Sequence, residues 1–100
     1  MRWLESGPRR DICVVLYGEG PVRGQELKRR LERRYDDRLE PKPFYDRLEA
    51  LARTPYVERA ADGIHDSYRL TDRGERAVET HYEWLGERVA GRGENENDDA

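Results

Sequence analysis

The chain predicts a mainly α-helical domain with one small β-hairpin: a winged helix-turn-helix with a long C-terminal dimerisation helix. Three observations carry the prediction. Two helical stripes, Leu27-Leu31-Tyr35 and Phe44-Leu48-Leu51, lie on either side of a short polar turn, which is the helix-turn-helix pattern. An Asp62-Gly63 pair between two short strand-like runs follows, and Asp-Gly is a strong hairpin signal. Last comes a terminal stripe, Val78, Tyr82, Leu85 and Val89, at heptad spacing.

Composition sets the limits. One hundred residues, 35% hydrophobic and 41% charged, suit one domain with a single modest core. No apolar run approaches the ~18 residues of a membrane span. Glu5, Arg9, Arg10 and Asp11 interrupt any signal-peptide apolar region. The lone Cys13 lies inside an apolar helical pattern and reads as a small core residue. The expectation is an intracellular, cytoplasmic protein. The formal net charge of −3 argues at first against a nucleic-acid partner. Residues 91–100, however, carry Arg92 against Glu94, Glu96, Asp98 and Asp99, and the other ninety residues hold 18 basic and 18 acidic groups. The body is therefore neutral and the tail acidic. Of the 19 basic residues 17 are arginine, whose planar fork suits phosphate and guanine edges; a GC-rich genome accounts for most of that bias.

Residues 1–7 form a short arm in which Trp3 and Leu4 are apolar enough to dock on something. Gly7-Pro8 is a breaker with proline placed for a first helical turn. Ile12, Cys13, Val15, Leu16 and Tyr17 then give a helix of about ten residues, ended by Gly18-Glu19-Gly20-Pro21. Pro21-Val22-Arg23 is a minimal strand able to pair with the later hairpin. The Leu27-Leu31-Tyr35 helix follows, and residues 23–38 hold seven bases and four acids, the most basic stretch of the chain. As a solvated face its charges pair at i,i+4, as in Glu26–Arg30; as a functional face they flank a DNA backbone.

A loop at residues 35–39 leads into the helix of about 42–53, opened by Pro41 and Pro43. Its buried side is Phe44, Leu48 and Leu51. Its other side mixes Lys42, Asp46, Arg47 and Glu49, with Tyr45 at the edge. Arg53-Thr54-Pro55 ends it. Tyr56–Ala60 and Asp66–Leu70 read as the strands of a wing, within the expected wing 57–70. Thr71 is the natural N-cap of the last helix, residues 71–90. Alongside the Val78–Val89 stripe runs a second, Ala77-His81-Trp84. One face is expected on the domain and the other on a second copy, so that Trp3, Leu4, Val78, Tyr82, Trp84, Leu85 and Val89 make a homodimer interface. Residues 91–100, rich in glycine, asparagine and acids, read as disordered.

These motifs resemble the PadR-like winged-helix transcriptional regulators, particularly their haloarchaeal branch. The matching stretches are Gly20–Leu27, Phe44–Leu51, Tyr56-Val57-Glu58 and Tyr68-Arg69-Leu70-Thr71-Asp72-Arg73-Gly74, within about residues 8–89. The chain departs from the family at Lys42, where a glycine is usual, at Pro55-Tyr56-Val57, where Gly-Leu-Val is usual, and in a wing poorer in arginine. The resemblance implies a homodimer on an inverted repeat, joined by the last helix and in some members the N-terminal arm.

The expected partner is double-stranded DNA. Lys42, Asp46 and Arg47 face base edges, and Tyr45 is shared between core and phosphate. Arg23, Gln25, Lys28, Arg29, Arg59, His65 and Arg69 face phosphates. A winged helix that binds protein instead of DNA is the alternative; it would expose apolar groups on the reading helix. No catalytic residue, cofactor or metal is expected. The two histidines, His65 and His81, stand outside any ligand-spaced cluster, and no glycine-rich phosphate loop follows a strand. A small-molecule effector would have Tyr82 and Trp84 as walls, but no residue pattern supports one.

Overall fold

A computed structural model describes residues 7–98. The elements run α1 (Gly7–Leu16), β1 (Val22–Arg23), α2 (Gly24–Tyr35), α3 (Pro41–Ala52), β2 (Val57–Asp62), β3 (His65–Leu70) and α4 (Asp72–Asp98). The mainly α fold with a small hairpin, a helix-turn-helix and a long last helix is the one the sequence predicts. Trp3 and Leu4, read as part of the dimer interface, lie outside the described residues.

The core forms where the helical stripes meet. Ile12, Cys13 and Leu16 of α1, Leu27 and Leu31 of α2, and Phe44, Leu48 and Leu51 of α3 are buried together with Val22, Val57, Tyr68, Leu70, Ala77 and Val78. Each large aliphatic side chain removed from water here stabilises the fold by about 1.5–3 kcal/mol. Burial pushes the Cys13 thiol up to about 12, so it stays protonated as an inert core residue.

The sheet has the order β1-β3-β2, antiparallel throughout. The minimal strand pairs as expected, Val22 with Tyr68 and Arg23 with Ser67. The hairpin turn differs by one residue from the Asp62-Gly63 pair read in the sequence. Asp62 pairs with His65, so the two loop residues are Gly63 and Ile64. Gly63 has φ +65° and Ile64 does not share the positive sign. That is the glycine-first pattern of a two-residue II′ hairpin, and it leaves Ile64 at the tip, 95% exposed.

Thr71 caps α4 as expected. Its Oγ1 accepts the Gly74 N–H at 3.1 Å and donates to the Pro55 carbonyl at 2.6 Å. The Thr71 N–H donates to the Tyr56 carbonyl at 3.0 Å. The helical backbone of α4 runs to Asp98. No proline interrupts it, and glycine within a helix costs only about 1 kcal/mol relative to alanine. One expectation for α4 is corrected: neither stripe packs on the domain along its length. Of the two stripes, Ala77 and Val78 are buried, whereas Tyr82, Trp84, Leu85 and Val89 are 47–70% exposed. Val78 thus belongs to the chain's own core, and α4 projects beyond it.

Candidate nucleic-acid interface

The α2–α3 unit is held by its turn. Asp36 ends α2 in the left-handed conformation, φ 54°, which aspartate tolerates better than most side chains. The Asp37 N–H returns to the Glu32 carbonyl at 3.2 Å. The Glu32 carboxylate accepts the Leu39 N–H at 2.9 Å and pairs with Lys28 at 2.9 Å. The Leu39 hydrogen bond, then the Lys28 contact, hold the Glu32 carboxyl below its usual range. One side chain thus ties the turn that sets α3 against α2.

On α3 the buried stripe turns the opposite ridge outward. Lys42 and Asp46 stand on it as an i,i+4 pair, Nζ to Oδ2 3.1 Å, both well exposed. Such a pair is screened by water and readily exchanged. Helical spacing continues the ridge through Glu49 to Arg53, which is exposed at the helix end. Tyr45 and Arg47 leave the helix on opposite flanks. Tyr45, 37% exposed, packs edge-on against Phe44 and lines a groove of about 330 Å³ with Arg23, Gln25, Ile64, His65 and Tyr68. Arg47 lines a small pocket on the other side with Pro8, Leu31, Tyr35, Leu39 and Phe44. The expected trio Lys42, Asp46 and Arg47 is therefore split, with Arg47 to one side of the ridge.

The expected phosphate contacts divide as well. Arg23, Gln25 and His65 line the groove between α3 and the wing. Lys28 is engaged by Glu32, and Arg29 lies 3.5 Å from Glu26. Arg69 forms a cross-strand pair with Glu58 at 2.8–2.9 Å, as the register Glu58↔Arg69 dictates. Arg59 reaches both carboxylate oxygens of Glu49, at 3.0 and 2.8 Å. The Glu49 hydrogen bond is the main reason its guanidinium holds its proton more tightly than usual. Arg47 and Arg53 have no ion-pair partner among the described residues.

Three residues of this surface were missed by sequence reading. Arg53 carried a signal, since it follows Lys42 and Asp46 at helical spacing. Ile64 was hidden by the one-residue shift of the turn. Glu49 is paired across the fold with Arg59, which no local pattern shows. Among the described residues, no group of three or more His, Cys, Asp or Glu side chains could hold a metal ion, and no helix is long and apolar enough to cross a membrane.

A second surface lies between α1 and α4. Val14, Tyr17, Tyr82, Trp84 and Leu85 line a groove of about 980 Å³. The Tyr17 hydroxyl donates to Glu79 at 2.6 Å and fastens α1 to α4. His81 stacks on Trp84 at 5.8 Å, and Arg88 lies 6.0 Å from the same ring.

A helix pair carrying an exposed polar ridge, a hairpin beside it and a long last helix define a winged helix-turn-helix protein. The chain is similar over nearly its whole length to RosR of H. salinarum. In a structure from crystals grown from NaBr, RosR is 26% identical, with 95% of this chain and 96% of that chain covered and a TM-score of 0.74. In the complex structure RosR-S1 the values are 27%, 93%, 92% and 0.75; in RosR-S4 they are 27%, 93%, 90% and 0.74. No family model and no curated protein matches the chain.

Proposed function

We propose that the chain is a DNA-binding transcriptional regulator, of the PadR-like kind its motifs resemble, that acts as a homodimer on an inverted repeat. The observation that carries the reading is the exposed ridge of α3 beside a wing whose outer residues, Ala60, Ala61 and Ile64 to Asp66, are exposed. The likeness to RosR supports the general class.

In this reading α3 enters the major groove and the wing follows the adjacent backbone. Lys42 and Asp46 meet base edges, and Arg47 reaches the same groove from its flank. Tyr45, Arg23, Gln25, Lys28, Arg29, Arg59, His65 and Arg69 lie along the sugar-phosphate path. The two copies meet through Tyr82, Trp84, Leu85 and Val89, whose exposed apolar surface needs a cover. The protein binds without a catalytic step, in the cytoplasm at the nucleoid.

One observation favours a protein-binding winged helix instead. Lys28, Lys42, Arg59 and Arg69 are each already paired with a carboxylate, and the wing tip is an isoleucine. Selection from a random duplex pool over a salt series separates the two readings, with wild type beside Lys42→Ala/Arg47→Ala. The DNA reading expects an enriched inverted repeat that the double variant loses, with Arg47→Ala alone losing about 1–3 kcal/mol of discrimination at one base pair per half-site. No enrichment at any salt overturns it. An unchanged profile for Arg47→Ala removes that residue from the reading set and leaves Arg53 as the arginine of the ridge.

A further inference from the structure

Glu49 is an acid on the helix proposed to enter DNA, where its charge opposes that of phosphate. It is not a bystander in the fold. Its Oε1 and Oε2 take Arg59 Nη1 at 3.0 and 2.8 Å, and Oε1 also accepts the Tyr68 hydroxyl at 3.1 Å. Arg59 on β2 and Tyr68 on β3 are register partners. One carboxylate of α3 therefore grips both strands of the wing at a single rung.

The position of that rung matters. Below it the pair Val57 and Leu70 is buried and, with the ring of Tyr68 in the rung itself, fixes the base of the hairpin. Beyond it Ser67 is still buried and paired with Arg23 of β1, whereas Ala60, Ala61, Ile64, His65 and Asp66 are exposed. The Glu49 clamp is the outermost tie between wing and helix among the described residues. Arg59 is balanced a second time by Asp66, at 4.0 Å. The groove between α3 and the wing is thus walled by Glu49 and Asp66 as well as by Arg23 and His65. A duplex with α3 in one groove and the wing in the next runs a phosphate backbone through this space.

We propose that Glu49 is a positioning residue for site choice: it holds the wing at a set angle to α3 and withholds Arg59 from phosphate, which lowers affinity for duplexes of any sequence. The proposal rests on the DNA-binding reading. With Glu49 neutralised, Arg59 becomes an indiscriminate phosphate contact and the outer wing loses its reference to the helix.

The test measures binding of the full chain to the selected duplex and to a scrambled one over a salt series, for wild type, Glu49→Gln, Arg59→Gln and the double variant. Glu49→Gln is expected to tighten binding to the scrambled duplex by about 3–10-fold and to steepen the salt dependence by about one unit of log–log slope, the value of one added phosphate contact. The ratio of selected to scrambled affinity falls. In the Arg59→Gln background the same change is expected to leave the salt slope unaltered, because the freed guanidinium is the agent of the added phosphate contact. An added slope that persists in that background, or an unchanged ratio and slope in the single variant, overturns the proposal. Tyr68→Phe keeps the buried ring and loosens the clamp without freeing Arg59. It is expected to lower the ratio at unchanged slope, and it decides the matter should Glu49→Gln fail to fold; an unchanged ratio then overturns the proposal. Wild type that does not distinguish the two duplexes overturns the DNA-binding reading itself.

Discussion

Gly74 shows how one atom more would disturb the junction between wing and last helix. A Cβ there would fall far inside van der Waals contact of the Tyr56 carbonyl oxygen and press on Leu70 Cδ2 at 3.0 Å. That carbonyl cannot move freely, because it accepts the Thr71 N–H. Gly74→Ala is therefore expected to destabilise the domain by about 1–3 kcal/mol despite alanine's better helix propensity. Urea melts of the two proteins check it, and an equal or more stable variant would show that the junction yields. The Thr71 cap was legible in the sequence, because an N-cap side chain acts on its own first turn. The reason for Gly74 was not, since the carbonyl it faces comes from the turn before β2. Arg47 and Arg53 mark a similar boundary. Helical spacing separates Arg47 from Lys42 and Asp46 and joins Arg53 to them. Reading the polar side of α3 as one face concealed both facts.

At the scale of elements, the turn between α2 and α3 hangs on Glu32. The Leu39 hydrogen bond and Lys28 favour its charged form, so its folded pKa is depressed. That contribution is fully present above the usual carboxylate range and is lost as pH falls through the depressed folded value. Glu32→Gln is accordingly expected to be less stable than wild type at pH 7 and to converge with it in strong acid. Urea midpoints across that range test this; a difference that does not shrink as pH falls would remove the charge from the account. The four helices and the hairpin were readable, because each stripe repeats within its own segment, whereas the two-residue β1 carries no repeat and is defined by its pairing with β3. The turn geometry was less so. Asp62-Gly63 announces a hairpin in either register, and the cross-strand pairing that puts Ile64 at the tip is settled by how β3 sits between β1 and β2.

For the molecule as a whole, α4 explains the elongated shape, 58 Å in its longest dimension. A 27-residue helix spans about 40 Å, and only its beginning is buried in the domain. Tyr82, Trp84, Leu85 and Val89 are exposed, and the homodimer proposed above would cover them with the same residues of a second copy. In that account two α3 helices are presented at a fixed separation, and the internal ion pairs keep the surface near neutrality between binding events. The central claim is that this separation selects the DNA. Its most direct test is the affinity of the enriched duplex after insertion of about five base pairs, half a helical turn, between the half-sites. The account predicts that affinity falls to that of a single half-site and that a full-turn insertion of about ten base pairs restores much of it. Equal affinity for all three duplexes would contradict the claim that two joined recognition helices read the site together.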